Sequence, residues 1–309
     1  MISIAMATYN GDKYLREQLD SILFQTCQDF EFVICDDCST DDTWKILEEY
    51  AQKDSRIKIF KNETNLGFKK NFEKAISLCG GEYVALSDQD DIWAENHLEV
   101  LFKNIEGKSA AVGNANVIDG NGLVADHLLS EGDKYFCSGG DIANLYTILC
   151  YRNHFSGAIS MYAKDFLNVA IPIPDSIIYH DVWLSTAACC MNGLDYTFEP
   201  IAKHRVHGNN ESGDHHITLF HQITAAFSNG RKAAAEQRIK ICDELLKRFP
   251  GMPDKTKAAI ISIKKYHENR ISGRRLKTIL FMRKNYKKIF STPNYNQFIL
   301  RCIGVLISG

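Results

Sequence analysis

Two acidic runs and one polar turn hold the residues best suited to chemistry. Asp36-Asp37 and Asp88-Gln89-Asp90-Asp91 each follow a short apolar stretch. So does Thr8-Tyr9-Asn10-Gly11, whose aromatic ring suits stacking on a base. One aspartate in such a place is explained by turn and cap chemistry. Five carboxylates brought to one edge repel one another unless a cation or a hydrogen-bond donor is shared among them. Paired carboxylates suit a hard divalent ion, Mg2+ or Mn2+, which keeps waters and takes substrate phosphates as further ligands. The acidic part of the chain has neither a Gly-rich dinucleotide fingerprint nor a Gly-Lys-Ser/Thr phosphate loop. Phosphate binding through a bridging metal is therefore expected.

For these runs to meet, the stretches before them must be neighbouring strands. Residues 2–7 read as a strand, after which Leu15, Leu19, Ile22 and Leu23 recur at helical spacing opposite Arg16, Glu17 and Asp20. Residues 31–35 read as the next strand. Ser39 is placed to cap a helix with Trp44, Leu47 and Ala51 inward and Asp41 and Asp42 in its first turn. Residues 57–60 give a third strand, and Phe68, Phe72, Ile76 and Cys79 a third helix. Residues 83–87 give a fourth strand, and Leu98, Leu101, Phe102 and Ile105 a fourth helix. This alternation predicts an α/β fold with a parallel sheet and right-handed crossovers. Ligands of such sheets bind beyond the carboxyl ends of the strands, where all three polar runs lie.

Ala7-Thr8-Tyr9-Asn10-Gly11, the strand Phe32-Val33-Ile34 running into Asp36-Asp37-Cys38-Ser39-Thr40-Asp41, and Ser87-Asp88-Gln89-Asp90-Asp91-Ile92-Trp93 together resemble glycosyltransferase family 2. The resemblance covers most of residues 1–212, with the motifs in the expected order and spacing. The Asp-Gln-Asp-Asp-Ile-Trp form is most similar to bacterial rhamnosyltransferases and related cell-surface polysaccharide enzymes. It implies a GT-A fold, a Rossmann-like, mostly parallel sheet flanked by helices. It also implies a nucleotide-diphosphate-sugar donor, dTDP-rhamnose first and UDP-hexoses behind it, with Mn2+ or Mg2+ and inversion at the anomeric carbon. The acceptor would be a saccharide or lipid-linked saccharide. Rival readings are a sugar nucleotidyltransferase, which usually opens on a glycine-rich loop absent here, and a non-catalytic glycan- or lipid-binding adaptor, against which the intact carboxylate set argues.

Carried over residue by residue, the resemblance lines the nucleotide with Thr8, Tyr9 and Asn10 and has Asp37 accept a hydrogen bond from the base. Asp88 and Asp90 match the Asp-x-Asp motif, with Asp90 on the metal and Asp88 near the ribose or metal; Asp91 matches a neighbour of variable role. Cys38 departs from the glycine usual there. Asn153-His154-Phe155-Ser156-Gly157-Ala158 resembles the segment flanking the donor sugar, which makes His154 a candidate binder. Asp181 lies in Tyr179-His180-Asp181-Val182-Trp183 at a helix start, where capping alone explains an aspartate. The family pattern makes it the general base that the acceptor hydroxyl needs. Asp119-Gly120-Asn121-Gly122 reads as a tight turn between strands. Lys203-His204-Arg205-Val206-His207-Gly208-Asn209-Asn210, after a strand near 196–199, matches the family loop at Arg205, His207, Gly208 and Asn210. His207 is a candidate metal ligand, and Arg205 a candidate for bidentate contact with the diphosphate.

The chain has 309 residues, 45% apolar and 24% charged, enough for a sizeable core and unlike a disordered chain. Its ten cysteines are scattered as reduced thiols would be, and Cys35 and Cys38 have no second pair nearby to complete a zinc site. No apolar run reaches the ~18 residues that span a bilayer, and no basic leader precedes the first strand, so a cytoplasmic location is expected. The net charge of −2 hides an asymmetry: residues 1–230 hold 17 Lys and Arg against 33 Asp and Glu, and residues 231–309 hold 19 against 5. The resemblance implies a catalytic domain over 1–212, and the basic remainder, 213–309, reads as a helical extension. Leu276, Ile279, Leu280, Tyr286 and Phe290, beside Arg275, Lys277, Arg283, Lys284, Lys287 and Lys288, suit peripheral contact with anionic lipid. The terminal run Phe298, Ile299, Leu300, Ile303, Val305, Leu306 and Ile307 suits the same interface or packing on the body. Nucleic acid is not an expected partner, given the acidic body and the absence of reader motifs.

Overall fold

Alternation within the first strands decides which helices each face of the sheet must meet. In β1 (Ile2–Thr8), Ile2, Ile4 and Met6 turn to one face and Ala5 to the other. In β2 (Phe30–Asp36), Phe30, Phe32 and Ile34 share the first face, and Val33 and Cys35 the second. Strands apolar on both sides require helices on both sides. These are α1 (Asp12–Leu23), α2 (Thr43–Lys53), α3 (Phe68–Leu78) and α4 (His97–Asn104). Leu15 and Leu19 of α1, Leu47 of α2 and Leu98 and Leu101 of α4 close the first face, while Phe72, Ala75 and Ile76 of α3 close the second.

The computed structural model describes residues 1–129, 140–151, 153, 155–208 and 230–289, together with Ile299 and Cys302. Among these, β1, β2, β3 (Ile57–Lys61) and β4 (Tyr83–Ser87) are the four expected parallel strands. The sheet continues through β5 (Ile92–Trp93), β6 (Ala110–Asp119), β7 (Val124–Leu128), β8 (Ser160–Ala163) and β9 (Leu194–Val206). The strand order is β3-β2-β1-β4-β8-β6-β9-β5, with β7 paired to β6. β8 is antiparallel to both its neighbours, and β6 is parallel to β9. The turn at Asp119 joins β6 to β7 as expected: Asp119 Oδ1 accepts the N–H of Asn121 at 2.8 Å and of Leu123 at 2.9 Å, and Gly122 takes a left-handed φ of 84°.

On the second face lie α5 (Gly140–Cys150), α6 (Lys164–Ala170) and α7 (His180–Ala188). Among the described residues four helices follow, α8 (Gly230–Arg248), α9 (Asp254–Ile271), α10 (Arg275–Lys284) and α11 (Tyr286–Ile289). Ile241, Leu245, Ile260, Ile263 and Met282 from these share one core with Leu145, Leu149 and Trp183, so the basic segment packs on the body. The expected boundary at 212 lies outside the described residues.

Two local expectations differ. Ser39 does not cap α2, which starts at Thr43; its hydroxyl donates to the buried Asp36 at 2.5 Å. β9 does not stop near Glu199 but runs to Val206, carrying His204 and Arg205 into the sheet beside β6. Register shifts opposite Pro200 interrupt the alternation that would have marked the longer strand.

Candidate active site

The first part of the candidate site is built from the ends of β1 and β2. Thr8 Oγ1 donates to Asp36 Oδ1 at 3.1 Å, tying the two strand ends together. Asn10 adopts φ 46°, a left-handed conformation that Asn tolerates, while its Oδ1 accepts the Thr40 N–H at 2.9 Å. Tyr9 is clamped by Gln89, which accepts its N–H at 2.9 Å and donates to its carbonyl at 3.0 Å, leaving the ring 48% exposed. A Cβ on Gly11 would run into the Gln89 amide, so the clamp requires glycine there. Asp37 is buried, and its carboxylate accepts Asn62 Nδ2 at 2.7 Å and the N–H groups of Leu66 and Gly67 at 2.8 Å each, shaping the loop into α3. Cys38 has φ 66°, which explains why the family position is usually glycine. Cys35, by contrast, is buried in the core, where burial pushes its thiol up to about 11.

The acidic run after β4 meets the end of β9. His207 Nε2 lies 2.8 Å from Asp90 Oδ2, and its ring packs at 4.9 Å on that of Tyr14 in α1. Asp91 is fully buried; its Oδ1 faces His204 Nδ1 at 3.0 Å and accepts the Arg205 N–H at 3.0 Å, whereas Oδ2 has no hydrogen-bond partner. The buried Arg205 guanidinium donates to Glu17 at 2.6 Å and to the Asp90 carbonyl at 2.8 Å, and lies over the Tyr14 ring. These contacts hold the Arg205 side chain against the acidic run and α1. Gln89, Tyr14 and Glu17 were not singled out from the sequence; Gln89 sits inside the acidic motif, and Tyr14 and Glu17 share one face of α1 at a spacing of three.

The carboxylates suit a cation. Burial, followed by the charges of Asp91 and Asp90, pushes Asp88 well above the usual carboxylate range. Burial and Asp91 raise Asp90, against the opposing pull of His207 and His204. Among the described residues no third His, Cys, Asp or Glu joins a set of metal-ligand geometry. The Asp90–His207 pair, with the Asp88 carboxyl and an unpartnered Asp91 oxygen nearby, has the donor chemistry of a Mn2+ or Mg2+ site whose shell water and other oxygens complete. Because the folded state holds protons on Asp88 and Asp90 that the unfolded chain releases near pH ~4, their contribution to stability is present at low pH and lost as pH rises through the folded values. Asp88→Asn, which keeps the shape without the charge, is expected to stabilise the metal-free protein at pH 7, with a gain that shrinks toward pH 4. Urea midpoints in EDTA across that range check this; a gain independent of pH would contradict it.

A further part of the candidate site lies at the start of α7. Asp181, in its first turn, accepts Asn153 Nδ2 at 2.8 Å through Oδ2 and the Val182 N–H at 2.7 Å through Oδ1. Asn153 also donates to the Phe155 carbonyl at 2.9 Å, so one amide orients the carboxylate and shapes the segment after it. Asp181 lies close enough to Asp88 to add to the rise of that carboxyl, which sets both at one edge of the sheet. His154 lies outside the described residues, as do Asn209 and Asn210.

Comparison with known proteins bears on the family and the fold. The family model described as Glycosyl transferase family 2 matches residues 3–168. An uncharacterized glycosyltransferase of Methanocaldococcus jannaschii is 32% identical over 209 residues, covering 65% of this chain and 68% of that protein. The Escherichia coli enzyme WfgD, named UDP-Glc:alpha-D-GlcNAc-diphosphoundecaprenol beta-1,3-glucosyltransferase, is 36% identical over 140 residues. That match takes in 44% of this chain and 53% of WfgD, so the chain spans about half of that relative's length. The crystal structure of S. aureus TarS 1-349 in complex with UDP-GlcNAc superposes with a TM-score of 0.63 at 20% identity, covering 94% of this chain and 81% of that one. The expected GT-A fold is the observed one.

Proposed function

The chain belongs to glycosyltransferase family 2, and on that premise we propose that it moves one sugar, with inversion, from a nucleoside-diphosphate-sugar to a lipid-linked saccharide in cell-surface polysaccharide synthesis. The observation that supports this reading most strongly is the Asp90–His207 contact, made between residues 117 positions apart and set beside Asp88 and Asp181. In this reading Tyr9 stacks on the base, Asp37 accepts a hydrogen bond from it, and Thr8 and Asn10 shape the wall of the nucleotide pocket. Asp90, Asp88 and His207 would hold the divalent ion, which when bound would supply charge neutralisation for the departing diphosphate. Arg205 fixes the backbone of Asp90, and His154 contacts the donor sugar. Asp181 takes the proton of the acceptor hydroxyl as that oxygen bonds to the anomeric carbon and the bond from that carbon to the diphosphate oxygen breaks. Attack from the face opposite the leaving group inverts the centre. Asn153 holds Asp181 in the orientation this requires.

The donor is a UDP-hexose, as the name of WfgD suggests, or dTDP-rhamnose, as the acidic motif suggests. A thermal-shift screen of nucleotide-sugars with and without Mn2+ tests the reading. The right donor at ~100 times its Kd contributes about 2.7 kcal/mol, roughly several degrees in Tm, only when Mn2+ is present. A shift of equal size in EDTA would remove the metal from the binding step.

Peripheral contact with the cytoplasmic face of an anionic membrane belongs to the same reading. Among the described residues no helix is long and apolar enough to cross a membrane. On α10, Leu276 is 72% and Leu280 54% exposed, one turn apart, among exposed Arg275, Lys277, Arg283 and Lys284, with Lys287 and Lys288 following on α11. Phe290 and most of the terminal apolar run lie outside the described residues. Each such base contributes about 1 kcal/mol at an anionic surface. The chain is expected to float with anionic liposomes in low salt and to be released at high salt. The exposed-site pair Leu276→Ser with Leu280→Ser should stay largely at the bottom of the gradient; equal flotation would remove α10 from the contact.

A further inference from the structure

Tyr14 and Glu17 lie three residues apart on one face of α1, and Arg205 and His207 two residues apart where β9 ends. The two pairs meet. The Tyr14 ring lies 4.9 Å from the His207 ring, tilted by 32°, and 4.5 Å from the Arg205 guanidinium. Arg205 in turn donates to Glu17 Oε2 at 2.6 Å and, through Nε, to the Asp90 carbonyl at 2.8 Å. A third element closes the group, the turn between β6 and β7. Tyr14 Oη donates to the Gly120 carbonyl there at 3.2 Å. A Cβ on Gly120 would stand 3.1 Å from that hydroxyl and 3.7 Å from His207 Cβ, so the three residues sit against one another.

The pairing of β9 with β6 ends at Val206 opposite Asp119, and His207 stands one residue past it. Several rotamers are open to an imidazole there until something packs on it. The Tyr14 ring, fixed at one end by α1 and at the other by Gly120, supplies that packing. His207 then meets Asp90 at 2.8 Å, each side chain only 16% exposed. The ligands of an ion are held in orientation by neighbours that are not ligands themselves, and affinity falls when those neighbours are lost. We infer that Tyr14 is a positioning residue for a divalent-cation site, holding His207 toward Asp90, while Glu17 acts through Arg205 on the Asp90 backbone. This rests on the reading of Asp90 and His207 as ligands. Its consequence is that α1 sets the Mn2+ affinity, and with it the ion concentration at which the donor binds.

Bound Mn2+, read from the loss of the free-ion electron paramagnetic resonance signal with saturating UDP or dTDP present, tests this without sugar transfer. Tyr14→Leu should bind Mn2+ roughly 10- to 100-fold more weakly than the parent, the range seen when groups supporting a ligand are removed. Tyr14→Phe keeps the ring and gives up only the Gly120 hydrogen bond, and should recover most of that loss. If Tyr14→Leu does not fold, judged by its urea midpoint in EDTA, Tyr14→Met carries the test. In His207→Ala, adding Tyr14→Leu should cost nothing further, because the two residues act as one. In steady-state kinetics the Mn2+ needed for half-maximal rate should rise by the same factor, while kcat at saturating Mn2+ holds within about twofold, a split that a general loss of structure would not give. Equal Mn2+ binding by the parent and Tyr14→Leu, or the same loss again in the His207→Ala background, would overturn the inference, as would a parent that binds no Mn2+. His207→Ala that binds Mn2+ like the parent would overturn it together with the reading of His207 as a ligand. The expected Mn2+ pattern in a protein that transfers no sugar would leave the inference standing and remove the transferase reading instead.

Discussion

Asp181→Asn is expected to bind the nucleotide-sugar as the parent does and to lose turnover by roughly 10²- to 10⁴-fold, the usual contribution of a positioned general base. The asparagine keeps the size of the side chain and one oxygen to accept from Asn153 or from Val182 N–H, so the first turn of α7 should hold. It has no basic oxygen left to take the acceptor proton. Donor KM and the Mn2+-dependent thermal shift should stay within about twofold, which separates a missing base from a misfolded site. Asn153→Ala tests the same device one step removed: it leaves the carboxylate present but unheld, and kcat should fall by less than in Asp181→Asn. Turnover of Asp181→Asn at the parent rate would show that the aspartate is a cap and nothing more.

Asp90→Asn should abolish the Mn2+-dependent part of donor binding. The substitution removes one charge from the cluster that raises Asp88 and takes away the carboxylate that meets His207. A single lost ligand weakens metal affinity by at least the 10- to 100-fold seen when supporting groups are removed. The measurement is the thermal shift with saturating nucleotide-sugar, with and without Mn2+. The parent should gain about 2.7 kcal/mol at ~100 Kd and the variant less than half of that. The metal-free variant should be no less stable than the parent at neutral pH, because the repelling carboxylate is gone. A variant that keeps the full Mn2+-dependent shift would move the ion away from Asp90.

The parallel strands and the helices between them were legible because each is local: alternation in β1, β2 and β4 and the three-and-four spacing in α1 and α3 lie within windows of about a dozen residues. The convergence of Asp37, Asp88 and Asp90 at one edge follows from strand order, which the crossover rule supplies. The Asp90–His207 contact was legible only through resemblance, because nothing within β9 says which strand it will join. The extension of β9 to Val206 was hidden by the irregular pairing at Pro200, and with it the burial of Arg205, whose partner Glu17 lies almost the whole catalytic region away.

Sugar transfer itself is the most direct test. The full chain, Mn2+, a GlcNAc-diphosphate lipid and a set of nucleotide-sugars including UDP-glucose and dTDP-rhamnose are incubated, and the lipid product is weighed by mass spectrometry. The account predicts that one donor adds a single sugar to the lipid saccharide, with one nucleoside diphosphate released per transfer and none in EDTA. Pyrophosphate release from a nucleoside triphosphate and a sugar phosphate, with no sugar added to the lipid from any donor, would contradict it.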